Sequence, residues 1–213
     1  TRSVCRNHEK PRGNGRNRKN DEERHMKKHA DIELGHSAYT DNANLEKKVA
    51  LRKEATKELK ELKVLDLFAG ENLIWSKIKT DRYFGVEAEK GKGKNLNVDN
   101  RRIIPVLDLS DFNVIDCDAY GIPYEQISMI FENPTLQKGT VIIYTCITGV
   151  LNRICVKALK DFDLQENYKR SRVLYNKYSR DMFFEMLRRN GVKKVISYRD
   201  DATMQKEYGY FIV

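Results

Sequence analysis

Short apolar runs alternate with longer polar or amphipathic stretches from about residue 63 to the end of the chain. This pattern is typical of parallel β-strands joined by crossover helices, and it predicts an α/β fold. The last two apolar runs are joined by a polar stretch that is too short for a crossover helix, so we expect that pair to be antiparallel. The seven predicted strands are residues 63–68, 83–86, 103–107, 114–118, 141–145, 194–198 and 208–213.

Two further segments have the apolar spacing of a helix that packs on one face. The first, residues 44–63, is rich in Glu, Lys, Ala and Leu and predicts a helix that either packs on the domain or docks a partner. The second predicts a helix that ends near Gly191, a residue suited to a C-terminal cap. The apolar positions are Leu45, Val49, Ala55, Leu59 and Leu62 in the first segment, and Leu174, Tyr178, Met182, Met186 and Leu187 in the second.

The beginning of the chain differs in composition from the rest. Residues 1–30 contain ten Lys or Arg against four acids and almost no large apolar side chain. Such a segment cannot bury enough apolar surface to fold without help. We therefore divide the chain into a basic N-terminal arm, residues 1–43, and a folded domain with a leading helix, residues 44–213.

Charge and composition limit the classes of protein to which this chain can belong. Of the 213 residues, 33% are charged and the formal net charge is +9, which favours polyanionic partners such as nucleic acid. No apolar run approaches the ~20 residues that a membrane-spanning helix needs, so we do not expect a membrane protein. Four widely spaced cysteines and the lack of a leader-like opening fit a reducing cytoplasm.

The most informative motif is an apolar strand that ends in an acid and a tight turn, Val64-Leu65-Asp66-Leu67-Phe68-Ala69-Gly70. Ala69 and Gly70 let the backbone approach a ligand closely, and residues 73–78 predict a helix whose N-terminus offers free amide groups. Glu87 ends the next strand, where its carboxylate can accept two ribose hydroxyls. A dinucleotide oxidoreductase would favour G-x-G-x-x-G here, and this turn has one glycine.

In these residues the chain resembles the class I S-adenosylmethionine-dependent methyltransferases, whose first motif commonly reads Asp-Leu-Phe-Ala-Gly and whose second strand ends in an acid. The resemblance covers residues 63–213 and implies a Rossmann-like domain that binds S-adenosylmethionine. Asn72 stands where the family has Gly, and we expect it to adopt left-handed backbone angles, which Asn tolerates well. The cofactor-binding residues that the resemblance implies are Asp66, Phe68, Ala69, Gly70, Asn72, Glu87, Asp108 and Asp118.

The fourth predicted strand ends in Asp118-Ala119-Tyr120-Gly121. This sequence resembles the Asp-Pro-Tyr-Gly motif of the tRNA guanine-N2 dimethyltransferases, with Ala119 in place of Pro. The resemblance implies catalytic roles in which Asp118 and the Ala119 carbonyl accept hydrogen bonds from an exocyclic amine while Tyr120 stacks on the base. The alternative is a capped strand end whose aromatic ring packs under a loop.

Three other sets of residues have both a functional and a structural interpretation. Cys146 could add to a pyrimidine carbon as a thiolate, although buried strand cysteines are common and no His follows position 36. A second basic patch could contact phosphate or form a solvated helix face, and it comprises Lys169, Arg170, Arg172, Lys177 and Arg180. The candidate zinc ligands are Cys5, His8, His25 and His29. The favoured interpretation is that these residues are incidental parts of a solvated arm.

The predicted function is methyl transfer from S-adenosylmethionine to an exocyclic amine of a nucleic-acid base. A DNA enzyme that flips its target base usually needs a sizeable recognition region, and little chain remains for one, which favours RNA, with tRNA as one candidate. Two alternatives stay open. One is an inactive Rossmann-like protein that binds nucleic acid, and the other is a methyltransferase of proteins or small molecules.

Overall fold

The computed structural model describes residues 44–92, 96–147, 154–199 and 206–213. Within these ranges the strands are β1 (Lys63–Asp66), β2 (Arg82–Glu87), β3 (Leu96–Asn97), β4 (Val114–Cys117), β5 (Val141–Ile147), β6 (Val195–Arg199) and β7 (Lys206–Ile212). The helices are α1 (Leu45–Thr56), α2 (Asn100–Ile103), α3 (Tyr124–Glu132), α4 (Val156–Asp161), α5 (Gln165–Arg170), α6 (Arg172–Lys177) and α7 (Ser179–Arg189). Two short 3₁₀ turns cover Trp75–Lys77 and Leu109–Asp111.

The strands form one sheet in the order β3-β2-β1-β4-β5-β7-β6. The neighbouring strands from β3 to β5 are parallel, whereas β7 runs antiparallel to both β5 and β6. This arrangement confirms the predicted Rossmann-like, mostly parallel sheet with an antiparallel last strand. Because parallel strands end on the same side, the residues that follow β1, β2, β4 and β5 meet along one side, which we call the carboxyl edge.

Both faces of the sheet are covered. One apolar core includes Ile127 of α3, Leu159 of α4 and Phe183 of α7. The core on the other face includes Leu51 of α1 and Trp75. All of β4 and all but the last residue of β5 are buried. The central strands are therefore buried on both faces, as expected for a parallel sheet between two helical layers, although β1 and β4 each contain a buried acid, Asp66 and Asp116.

Helix α1 is shorter than the predicted helix over residues 44–63. It ends at Thr56, and the chain beyond it is tied to the start of the sheet. The Asn113 side chain accepts a hydrogen bond from the Lys63 N–H at 2.9 Å and donates one to the Glu61 carbonyl at 2.7 Å. These bonds require an extended chain, which explains the early helix end. The buried face also differs from the prediction, because it includes Leu51 and the charged Arg52.

The strand predicted over residues 103–107 is wrong. The third strand is the two-residue β3, and helix α2 occupies the start of the predicted segment. The Asp99 carboxylate caps this helix by accepting a hydrogen bond from the Arg101 N–H. The Asn133 amide then donates to the carbonyl groups of Ile104 and Leu107, at 2.7 and 3.0 Å. Of the apolar residues in this segment, Ile104 is fully buried whereas Val106 is 77% exposed, so a capped helix and a loop held by Asn133 replace the predicted strand.

The helix predicted near the end of the chain is confirmed in its C-terminal part. Helix α7 ends at Arg189, and Gly191 has the positive φ of 82° that a C-terminal cap requires. The N-terminal part of the predicted segment instead forms the separate helix α6. None of the helices in the described ranges is both long and apolar enough to cross a membrane.

We predict that Arg52→Met lowers the free energy of unfolding by about 3–5 kcal/mol, because it leaves the buried Asp116 carboxylate without its counter-ion. Arg52 has no exposed surface, and its guanidinium donates to both Asp116 oxygens at 2.9 Å. Urea unfolding measures the change. Lys53→Met, at an exposed position of the same helix, is the matched control, and equal midpoints for the two variants would contradict the prediction.

Candidate active site

The turn after β1 forms one wall of the candidate site. The Ala69 N–H donates to the Val86 carbonyl at 3.1 Å, and the Asn72 N–H donates to the Ala69 carbonyl at 2.7 Å. Gly70 and Asn72 both have positive φ, at 50° and 57°. The left-handed backbone expected at Asn72 is therefore confirmed. The chain then enters a single 3₁₀ turn, so the longer helix predicted over residues 73–78 is absent from the described chain.

Glu87 joins this turn to the end of β2. Its carboxylate accepts hydrogen bonds from the backbone N–H groups of Gly70 and Glu89, both at 2.9 Å. A carboxylate has about four lone-pair sites, so acceptor capacity remains for a ligand. A Cβ built on Gly70 would have no atom within 4 Å, so the backbone beside this carboxylate is open to a ligand.

Asp66 is buried and supports the turn from below. Its carboxyl group accepts hydrogen bonds from the Phe68 N–H and the Tyr83 hydroxyl, both at 3.1 Å. Burial and the neighbouring Asp116 raise the pKa of Asp66 well above its usual range. Asp66 therefore fixes the backbone of the turn, whereas Glu87 presents its carboxylate beside the open Gly70 backbone.

The loop after β4 forms the opposite wall. The Ala119 N–H donates to the Cys117 carbonyl at 2.8 Å, and the Gly121 carbonyl accepts from the Ile147 N–H at 2.9 Å. This loop is therefore tied to the end of β5 without the rigidity that Pro would give. Tyr120 is 68% exposed, so its ring does not pack under a loop and is available for stacking.

Asp118 is bound by two cations from α1. Its Oδ2 atom lies 2.8 Å from the Lys48 Nζ atom and 3.6 Å from the Arg52 Nη2 atom. Burial alone raises the pKa of Asp118, but the charges of Arg52 and Lys48 outweigh it and lower that pKa below its ordinary value. The group is therefore an ionised hydrogen-bond acceptor at the carboxyl edge.

The sequence analysis missed the partners of these carboxyl groups. Arg52 binds Asp116, and the Trp75 indole N–H donates to the same carboxylate at 2.8 Å. One signal was available, since Arg52 is three residues after Val49 and three before Ala55, on the face of α1 that the apolar spacing predicts to be buried. A charged residue on such a face indicates a buried ion pair.

Asp108 is not brought to the other predicted cofactor-binding residues. It precedes β4, and its side chain caps the Leu109–Asp111 turn by accepting hydrogen bonds from the Ser110 N–H and hydroxyl. The adjacent Leu109 N–H donates to Thr135, which follows α3. These contacts place Asp108 near the beginnings of the strands. The misplaced third strand is the cause, because it would have ended at the carboxyl edge just before Asp108.

Cys146 lies in β5 with no exposed surface. Burial raises the pKa of its thiol well above the usual range, and the nearby Glu207 adds to this shift. A thiol in this environment is a structural side chain and does not favour the nucleophile interpretation. Arg180, from the predicted basic patch, is bound to that same Glu207 at 2.6 Å.

The zinc candidates Cys5, His8, His25 and His29 lie outside the described residues, as does the basic arm. Within the described ranges, no group of three or more His, Cys, Asp or Glu is arranged to hold a metal ion.

The sequence matches no protein-family model and no curated protein. Among solved structures, it is similar in fold to Trm1 from Pyrococcus horikoshii in complex with S-adenosyl-L-methionine, with 15% identity and a TM-score of 0.52 over 82% of this chain and 55% of that one. It is also similar to a possible exported protein from Bordetella parapertussis, with 10% identity and a TM-score of 0.50 over 78% of this chain and 67% of that one. At these identities the similarity shows the fold.

We predict that Cys146→Ala leaves ligand binding and any methyl transfer within about twofold of wild type, because a buried thiol of raised pKa supplies no thiolate. Cys155→Ala, at a partly buried position outside the sheet, is the matched control. A selective loss of turnover in the Cys146 variant, with folding intact, would restore the nucleophile interpretation.

Proposed function

We propose that the protein is an S-adenosylmethionine-dependent methyltransferase that methylates an exocyclic amine of a nucleic-acid base, with RNA favoured over DNA. The proposal rests on two features that lie side by side at the carboxyl edge of the sheet. Glu87 is bonded to the Gly70 backbone at the end of β2, and the ionised Asp118 lies beside the exposed Tyr120 after β4.

The first wall fits the cofactor. Glu87 would accept the ribose hydroxyls, while the backbone of Phe68, Ala69 and Gly70 would pass alongside the ligand. The Asn72 Oδ1 atom is buried and has no hydrogen-bond partner among the described residues, so a ligand donor at this turn would satisfy it. Trm1, which shares the fold, was solved with this cofactor, and that supports the choice.

The second wall fits the acceptor of the methyl group. When bound, S-adenosylmethionine supplies a methyl carbon attached to a positively charged sulfur. Asp118 and the Ala119 carbonyl would accept the N–H groups of the target amine and so direct its lone pair at that carbon. Methyl transfer would form a nitrogen–carbon bond as the carbon–sulfur bond breaks, leave the electron pair on sulfur and release the amine proton to solvent.

The charge distribution supports a nucleic-acid substrate. Helix α7 begins at the carboxyl edge, because Arg180 binds Glu207, which pairs with Cys146 near the end of β5. Helix α6 immediately precedes it and carries Arg172 and Lys177, which have no ion pair among the described residues. Tyr178, which joins the two helices, is 48% exposed. Cations beside an exposed ring suit a single-stranded nucleic acid.

We predict that Glu87→Gln weakens binding of S-adenosylmethionine roughly tenfold to hundredfold, because hydrogen bonds to a charged acceptor contribute about 1.5–3 kcal/mol. Isothermal titration calorimetry measures the affinity. Asp66→Asn should weaken binding only indirectly, since Asp66 supports the turn without facing the ligand.

Glu89→Gln is the matched control for Glu87→Gln, because the Glu89 side chain pairs with Lys92. A wild-type protein that does not bind the cofactor would overturn the methyltransferase proposal and favour an inactive nucleic-acid-binding protein. Equal losses in the Glu87 and Glu89 variants would overturn the assignment of the ribose contact.

We predict that Arg172→Gln and Lys177→Gln each reduce the salt dependence of single-stranded RNA binding, by about 0.7 in the slope of log affinity against log salt concentration. Each variant removes one phosphate contact. Tyr178→Ala should lower the affinity by about 1–3 kcal/mol and leave the slope unchanged, because stacking releases no counter-ions. Fluorescence anisotropy of a labelled oligonucleotide measures both quantities.

Lys193→Gln and Lys194→Gln provide controls for charge alone, because these residues precede β6 at the opposite edge of the sheet. If they reduce the slope as much as the α6 variants do, the attraction is not localised and the α6 surface is not the binding site. Tighter binding of duplex DNA than of RNA by the wild type would reverse the substrate preference.

A further inference from the structure

Helix α1 supplies two cations to one oxygen of Asp118. Lys48 and Arg52 lie one helical turn apart, and both approach Asp118 Oδ2, at 2.8 and 3.6 Å. The side chains of Lys48 and Asp118 are only 16% and 11% exposed, so this ion pair is largely screened from water. A contact of this kind is much more strongly constrained than an ion pair on the surface.

Arg52 fixes the position of the helix that carries Lys48. Its guanidinium binds both oxygens of Asp116 and also donates to the Lys48 carbonyl at 3.3 Å. The Lys48 backbone is therefore anchored directly beside Asp118. The Lys48 ammonium reaches a defined position because its backbone is held by a fully buried neighbour.

The cations of α1 face a group of buried acids. Burial raises the pKa of Asp66 and of Asp116, whereas the charges of Arg52 and Lys48 lower the pKa of Asp118. Among these three acids, Asp118 is therefore the one at the carboxyl edge whose ionised form α1 stabilises.

We propose that α1 completes the active site, with Lys48 as a positioning residue that holds Asp118 Oδ2 and thereby directs Oδ1 at the target amine. The proposal rests on the methyltransferase function proposed above. It makes the leading helix a functional part of the domain in addition to its packing role.

The test compares Lys48→Gln, Lys48→Arg and the control Lys53→Gln, at an exposed position of the same helix. Lys48→Gln should bind S-adenosylmethionine like wild type and lose roughly tenfold to hundredfold in kcat, because a displaced acceptor misaligns the amine. Removing a cation raises the pKa of Asp118, so the acid limb of the kcat/KM profile should move to higher pH. Lys48→Arg should restore the wild-type limb, and Lys53→Gln should not move it.

A second measurement does not depend on enzyme activity: NMR can follow the titration of the Asp118 carboxyl carbon with pH in protein free of cofactor. In Lys48→Gln its midpoint should lie at higher pH than in wild type. An unchanged midpoint or an unchanged acid limb would overturn the proposal, with wild-type activity showing that the methyltransferase function itself still stands. A wild type that binds no cofactor and methylates no amine would remove both proposals.

Asp118→Asn provides a second test if Lys48→Gln is poorly folded. Once residue 118 is neutral, it no longer needs the Lys48 charge, so Lys48→Gln in the Asp118→Asn background should fold and have no further effect on kcat. The two substitutions would then be non-additive, as expected for residues that act through one another. Additive losses would show that Lys48 acts independently of Asp118 and would overturn the proposal.

Discussion

The ion pair between Arg52 and Asp116 is the constraint around which this domain is organised. A buried guanidinium is strongly unfavourable unless its hydrogen bonds are met, and here both oxygens of one carboxylate meet them. Trp75 donates to the same carboxylate from the turn that follows β1. One carboxyl group in the middle of the sheet thus joins the leading helix, the fourth strand and the first loop.

This constraint also links packing to chemistry. Asp116 pairs with Asp66 across neighbouring strands, and Asp118 lies two residues further along the same face. A row of acids on one face of a sheet is unfavourable without cations, and α1 supplies them. The helix that covers the apolar part of this face therefore also supplies the counter-charges of the polar part.

The sequence was sufficient for the features that depend on local patterns. The apolar runs predicted β1, β2, β4 and β5, which form three parallel pairs in the centre of the sheet. The backbone angle at Asn72 followed from its residue type. The prediction of the third strand failed because residues 103–107 form a helix end and a loop, in which the Ile104 and Leu107 carbonyl groups are bound by the Asn133 side chain from far along the chain. The partner of Arg52 could not be derived, because Asp116 is 64 residues away and only the folded chain brings the two together.

The two outer strands of the sheet differ in a way that affects association between chains. Strand β3 contains only two residues and offers almost no template for another strand, whereas β6 offers five. Long unpaired edges invite intermolecular pairing, and natural proteins commonly protect them with lysine. Lys193 and Lys194 stand immediately before β6 and would bring like charges together in an edge-to-edge pair. The short β3 and the two lysines before β6 therefore both disfavour edge-to-edge pairing of this sheet between chains.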